Sequence, residues 1–320
     1  MKYLVFGSLN IDRTYTVPHF VEAGETLSAS KMELFCGGKG FNQAVALARA
    51  GQEVYFAGAV GTDGAVLLEA LAADGIHDEY IKRTEGVSGH AVIQVDAGGQ
   101  NCILILPGAN GEITEPDVDK VLAHFEAGDL IVLQNEITCV AYILRRAAEK
   151  GMLVALNPSP CDALIDSYDI GCVNYLLVNE VEGAAIAGCA DPNAMADALH
   201  RKYPALNLVL TLGSKGAIYY GADGSRYAVG IYQNPVVDTT AAGDTFTGYF
   251  LSQVTRSGNA ELALKQASIA SGISVSRKGA SPSVPAYAEV QAVDEGVLRP
   301  FNGDPDEFKI KNGGRHHENS

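Results

Sequence analysis

A chain of 320 residues with 47% hydrophobic content can bury a large core and fold without covalent staples. Its six cysteines contain no C-x-x-C pair, which argues against a disulfide framework or a zinc site, and a formal charge of -15 excludes non-specific attraction to nucleic acid or anionic lipid. No apolar run has the length of a signal h-region or a membrane span, so these features predict a cytoplasmic protein in which any polyanionic ligand is held by local donors.

Short apolar runs alternate with helical patterns along the chain, the mark of β-α units around a mostly parallel sheet. The first strand, Tyr3 to Phe6, leads into Gly7-Ser8-Leu9-Asn10-Ile11-Asp12. Asn10 and Asp12 therefore stand just past a strand's carboxyl end, where they could bind sugar hydroxyls or simply form a turn. From Thr14 to Phe35 the helical period is lost, and Glu25 to Ser30 reads as exposed strand; a second patch, Gly89 to Leu106, is split by the turn Ala97-Gly98-Gly99-Gln100. The two patches predict a small protruding sheet, either a lid or peripheral strands over the core.

Between them, Cys36-Gly37-Gly38-Lys39-Gly40-Phe41-Asn42-Gln43 lets a ligand approach backbone but matches neither the phosphate loop nor G-x-G-x-x-G, and a helix over 44–50 with Gly51 as its cap follows. Further on come a strand at 54–60, a helix at 64–73, a helix at 115–125, a strand at 130–134 with Glu136 at its carboxyl end, a helix at 139–150 and a strand at 153–156. After the strand 175–178, Asn179 and Glu182 lie three apart at a helix start, where they could face a metal-bound phosphate or form a capping box. The strand 208–211 ends in the small-residue turn 212–216, and a long helix covers 260–275.

The segment from Val236 to Phe250 reads as a strand, a tight turn and a helix start. The amides of Ala241, Ala242 and Gly243 would be unpaired at the positive end of that helix, a favourable place for a phosphoryl group. Asp244 beside them either takes a proton from an attacking hydroxyl or complements the helix dipole. There is no internal repeat and no linker, so 1–300 is expected to be one α/β domain with lid strands at about 13–35 and 88–106, and 301–320 a disordered tail.

Gly37-Gly38-Lys39-Gly40-Phe41-Asn42-Gln43-Ala44 and Asp238-Thr239-Thr240-Ala241-Ala242-Gly243-Asp244-Thr245-Phe246 closely resemble the two signatures of the ribokinase/fructokinase (pfkB-type) carbohydrate kinases. Pro107-Gly108-Ala109-Asn110, Gln134-Asn135-Glu136, Asn179-x-x-Glu182 and Arg277-Lys278-Gly279-Ala280-x-Pro282-Ser283 also match, in the family's order, and the likeness is greatest to its ribokinase branch. The resemblance implies a Rossmann-type, mostly parallel central sheet flanked by helices, with a small β-sheet lid. It also implies ATP-dependent phosphorylation of ribose at its terminal hydroxyl, with Mg²⁺, a monovalent cation such as K⁺, and a homodimer joined through the lid. By the same resemblance Asp244 is the catalytic base and Ala241, Ala242 and Gly243 the anion hole. Asn10, Asp12, Gly38, Lys39, Asn42 and Glu136 would hold the sugar, and Asn179 and Glu182 would order Mg²⁺ and phosphate. Thr211, Gly213 and Gly216 would lie along the nucleotide, while Asp238, Thr240, Ser274, Arg277, Gly279 and Ser283 would enclose the monovalent cation. Phe41 and His90 depart from the family pattern and are expected to touch the sugar pocket. A kinase for deoxyribose, a ketohexose or a nucleoside, or a non-catalytic sensor, are the alternatives.

Overall fold

The computed structural model describes residues 1–301. The chain enters as β1 (Tyr3–Phe6), leaves the main sheet at once, and forms β2 (Asn10–Thr16) and β3 (Lys31–Gly37) before α1 (Lys39–Arg49). It then forms β4 (Val54–Val60), α2 (Ala65–Ala73), β5 (His77–Arg83), β6 (Gly89–Val95), β7 (Asn101–Leu106), α3 (Glu115–Leu122) and β8 (Leu130–Gln134). There follow α4 (Val140–Glu149), β9 (Leu153–Asn157), β10 (Tyr175–Asn179), α5 (Glu180–Ala187), α6 (Pro192–Lys202) and β11 (Asn207–Thr211). The chain closes with β12 (Ala217–Tyr220), β13 (Arg226–Val229), α7 (Ala242–Ser257), α8 (Ala260–Ser274) and α9 (Tyr287–Gln291).

Among the described residues, one sheet has the order β13-β12-β11-β10-β9-β8-β1-β4-β5, parallel except that β12 pairs antiparallel with both β11 and β13. Strands such as β1 and β8 are buried along their whole length because helices cover both faces. Alternation divides their side chains between two cores. Tyr3 and Val5 face α1, α2, α7 and α8, whereas Leu4 and Phe6 face α3, α4 and α6. Each fully buried Leu, Ile or Phe contributes roughly 1.5–3 kcal/mol, so these two layers carry the fold. The strand order reverses around β1 and β8, and the crevice beyond their carboxyl ends is where an open sheet of this kind binds ligands.

A second sheet, ordered β3-β2-β6-β7, projects from that end, because Gly7 to Leu9 carry the chain directly from β1 into β2. The lid sheet was expected, but its boundaries differ. Glu25 to Ser30 is irregular and exposed, with only Leu27 half-buried, and the strand begins at Lys31. A polar alternation there has no apolar face to bury, and a turn closed by Glu25 N–H to Glu22 O breaks the run. Val236 and Val237 likewise join no sheet: Val237 and Asp238 donate their N–H groups to Val275 O at the end of α8, and both valines are exposed. A β-branched pair was read as strand where the chain is a loop pinned to a helix terminus. Phe301 packs against the core containing Leu4 and Phe6, and the rest of the expected tail, 302–320, lies outside the described residues.

Candidate active site

Helix α1 is buried along almost its whole length, from Gly40 to Leu47. Two glycines permit this. A Cβ on Gly40 would lie 2.5 Å from Ser8 N, and one on Gly248 would lie 2.4 Å from the Ala46 methyl, so both the β1 turn and α7 approach α1 at backbone distance. The crossing presses Asn42 and Gln43 against Asp244, itself only 7% exposed. Asn42 Nδ2 donates to Asp244 Oδ2 at 3.1 Å and Gln43 Nε2 donates to Oδ1 at 2.9 Å.

The turn before α7 holds Ala241 at φ 60°, a left-handed conformation that costs a non-glycine residue of order 1–3 kcal/mol. Helix α7 has no side-chain cap. Of the three amides expected to be free, that of Ala242 instead donates to Thr239 O at 3.2 Å, closing the turn. The N–H groups of Ala241, Gly243 and Asp244 have no acceptor among the described residues. The free donors at this helix terminus are therefore the amides of Ala241, Gly243 and Asp244, and that of Ala242 serves the turn.

Two cavities meet at this terminus, sharing Asn179, Thr211, Thr239, Ala242, Gly243 and Phe246. The larger, about 410 Å³, has Thr211, Gly213 and Gly216 on one wall and Tyr232, Val236 and Val275 among its apolar residues. The smaller, about 210 Å³, is lined by Lys39, Asn157, Glu182, Asp244 and the 241–243 turn. Lys39 thus projects among groups suited to phosphate. Burial lowers the affinity of its amine for a proton, but Asp244, Glu136 and Glu182 together outweigh that and hold it above the ordinary lysine value. Asn179 and Glu182 form the capping box of α5: Asn179 Oδ1 accepts from Val181 N and Glu182 N, and Glu182 Oε2 accepts from Asn179 N. Glu182 Oε1 remains for the cavity.

At the base of the lid, Glu136 Oε2 accepts from both Ser8 Oγ and Lys39 N, tying the start of α1 to the end of β1. Asn10 Oδ1 accepts from Asn110 Nδ2 at 2.8 Å, which leaves the Asn10 amide hydrogens for a ligand. Asp12 packs over Gly37, whose Cβ would fall 2.1 Å from Asp12 Oδ2. Burial, and then the neighbouring Glu136 charge, push Asp12 up to about 7, and burial likewise raises Glu136 against its bonds to Ser8 and Lys39. Asn10, Asp12, Gly38, Lys39 and Glu136 are thus gathered at one junction, and Asn42 gives its Nδ2 to Asp244 while its buried Oδ1 has no partner.

Phe41 is 1% exposed in the main core, and the pairing of His90 with Ile11 sets it on the lid face opposite Asn10 and Asp12. Neither is among the residues lining these two cavities. Asp238 Oδ1 accepts from Thr240 N and Oγ1 while its Oδ2 accepts from Gly279 N, so this carboxylate joins the α7 turn to the 277–283 loop. Ser274 and Ser283, both fully buried, are hydrogen-bonded to each other at 2.7 Å. The Arg277 guanidinium turns outward to Glu289, leaving only its carbonyl for that loop's interior. No group of three or more His, Cys, Asp or Glu side chains able to hold a metal occurs among the described residues.

The family model described as pfkB family carbohydrate kinase matches residues 1–287. The chain belongs to the pfkB family of carbohydrate kinases. Among the curated relatives of this pfkB kinase, the ribokinase of Haemophilus influenzae is 34% identical over 295 residues, 89% of this chain and 95% of the relative. The deoxyribokinase of Salmonella typhimurium is 33% identical over 301 residues, covering 90% and 97%. Among solved structures, Arabidopsis thaliana ribokinase complexed with ribose and ATP superposes with a TM-score of 0.81 at 29% identity, covering 90% of this chain and 97% of that one. The pfkB kinase is thus an ATP-dependent carbohydrate kinase with the expected fold, and no helix among its described residues is long and apolar enough to cross a membrane.

Proposed function

We propose that this kinase transfers the γ-phosphoryl group of ATP to the 5-hydroxyl of D-ribose. The observation that carries the reading is a buried carboxylate, Asp244, beside free amides at a helix N-terminus, where two cavities adjoin. ATP would occupy the larger cavity along Thr211, Gly213 and Gly216, with its phosphates directed into the smaller one. The sugar would be held by Asn10, Asp12, Gly38, Lys39, Asn42 and Glu136. Asp244 accepts the proton of the attacking hydroxyl as the new O–P bond forms and the bond to the β-phosphate oxygen breaks, releasing ADP. The amides of Ala241, Gly243 and Asp244, with the Lys39 ammonium, stabilise charge on the transferring group.

Glu182 Oε1, beside Asn179, is free of the capping box and fits a Mg²⁺ held mainly by the nucleotide, which supplies charge neutralisation at the phosphates. Asp238, with oxygens of Thr240, Ser274, Arg277, Gly279 and Ser283, provides the oxygen-only donor set that suits K⁺, whose charge would brace the turn. A second copy of the chain is the occupant proposed for the lid: pairing aligns Leu34, Arg13, Val92 and Leu104 on one face, and Leu104 is 72% exposed. We assign 1–300 to one catalytic domain whose lid is part of it.

The relatives named ribokinase support ribose, and those named deoxyribokinase, at 33% identity, support 2-deoxyribose as the second reading. ATP consumption measured across ribose, 2-deoxyribose, hexoses and nucleosides tests both. A kcat/KM for ribose above all others is expected; a higher value for 2-deoxyribose favours the second reading, and one for fructose or a nucleoside overturns both.

A further inference from the structure

We infer that Gln43 is a positioning residue for catalysis: it orients the Asp244 carboxylate toward the attacking hydroxyl. The inference rests on the general-base reading of Asp244. Gln43 is fully buried on α1 and cannot reach solvent or substrate. Its Nε2 donates to Asp244 Oδ1 at 2.9 Å and to Asn157 Oδ1 at 3.0 Å, and its Oε1 accepts from Gln134 Nε2 at 2.7 Å. Asn157 in turn donates its Nδ2 to the main-chain carbonyl of Leu177 at 2.9 Å.

The polarity of this chain of amides is fixed from outside. Leu177 O can only accept, so Asn157 must turn its oxygen toward Gln43, and Gln43 must answer with its NH₂, which it also presents to Asp244, leaving its oxygen to accept from Gln134 Nε2. Flipping Gln43 would set oxygen against oxygen at Asp244 and Asn157 and nitrogen against nitrogen at Gln134. Gln134 and Asn157 are register partners at the ends of β8 and β9, so the amide is anchored to the central sheet itself. Asn42 Nδ2 holds the other oxygen, Oδ2, and the Asp244 carboxylate therefore receives one amide donor at each oxygen. A carboxylate so held is fixed in one rotamer, the orientation a base needs before the substrate arrives. The charged groups around it are Lys39 from α1, Glu136 beyond β8 and Glu182 of α5; no hydrogen bond joins any of them to Asp244.

The test compares Gln43→Glu, Gln43→Met and Asp244→Asn, with circular dichroism and thermal unfolding to confirm folding and the best sugar of the panel as substrate. Gln43→Glu keeps the acceptor for Gln134 and the side-chain shape but places a second carboxyl against Asp244. Two carboxyls that close share a proton, so the acid limb of the kcat profile should move up by about one to two pH units. Turnover at about pH 6 should fall at least tenfold and recover largely as the pH is raised. Gln43→Met, which removes the donor without adding charge, should lower kcat about tenfold or more while sugar and ATP KM stay within about twofold. A packing defect would instead lower turnover equally at every pH. If the variants fold and both keep the parental kcat and acid limb while Asp244→Asn abolishes turnover, the positioning role of Gln43 is wrong and the base reading stands. If Asp244→Asn itself keeps near-parental turnover, both fall.

Discussion

Replacing Asp244 by asparagine separates the chemistry of this site from its architecture, because the structure allows the two consequences to be sized independently. The carboxylate receives Asn42 Nδ2 at 3.1 Å on one oxygen and Gln43 Nε2 at 2.9 Å on the other. An amide of the same shape can accept from only one of these donors and must turn its own NH₂ toward the second. One buried donor is left unsatisfied, a loss of about 1–3 kcal/mol in stability, which a domain with about 5–15 kcal/mol in hand survives. The kinetic loss is larger. Removing a positioned base is expected to lower kcat by about 10²–10⁴, or about 3–5 kcal/mol of transition-state stabilisation, while leaving the sugar-binding residues in place. Steady-state ADP release at saturating sugar and ATP, sugar affinity by calorimetry, and thermal unfolding would be measured on the same preparation. A folded variant that binds sugar and retains kcat within tenfold of the parent would refute the assignment. One that loses sugar binding in proportion to turnover would mean that Asp244 holds the substrate rather than deprotonating it.

Asp12, pushed up to about 7 by burial and then by Glu136, keeps a proton in the folded protein that the unfolded chain, at the ordinary 3.8, has released. The stability from that proton is present at low pH and lost as the pH rises from about 4 through about 7; in urea unfolding Asp12→Asn should flatten this decline, and an unchanged slope would contradict it. Leu104→Glu should convert a dimer to a monomer in sedimentation while changing protomer stability by less than about 0.5 kcal/mol, since Leu104 is 72% exposed. A dimer that persists would move the interface elsewhere. Activity at fixed ionic strength and saturating Mg²⁺ should rise when K⁺ replaces a large organic cation, and Asp238→Ala should lose that response; equal rates in both buffers would remove the cation from the mechanism.

Much of the architecture was legible because its signals are local. The alternation of β-branched runs with helical periods located the buried parallel strands β1, β4, β8, β9, β10 and β11 within a residue or two. Edge elements were harder. Strand β5, His77–Arg83, is charged and half-exposed, so it lacks an apolar face to announce it, whereas α6 carried an unread signal in its Asp191 cap and Pro192. Glu25 to Ser30 and Val236-Val237 show the converse: β-favouring residues become strand only where a partner offers its ladder. In the site, the motifs named Asp244, Glu136, Asn179 and Glu182, but the bonds that decide what each side chain is free to do were not in them. Glu182 spends one oxygen on its cap, Glu136 spends one on Ser8 and Lys39, and Asn42 spends its Nδ2 on Asp244 while its Oδ1 has no partner.

What the sequence determined by itself is the set of parts: glycines that permit close backbone approach, a turn that ends in an uncapped helix, and a carboxylate at its first turn. The tertiary structure alone decided how they meet. Gln43 and Asp244 are separated by 201 positions, Ser8 and Glu136 by 128, and Asp238 and Gly279 by 41. Periodicity reports only which face of an element is apolar, over a few turns of chain. Which polar group then lies opposite which depends on helix crossings such as that of Gly248 on Ala46 and on the register of β8 with β9, distances fixed by packing that no local pattern encodes.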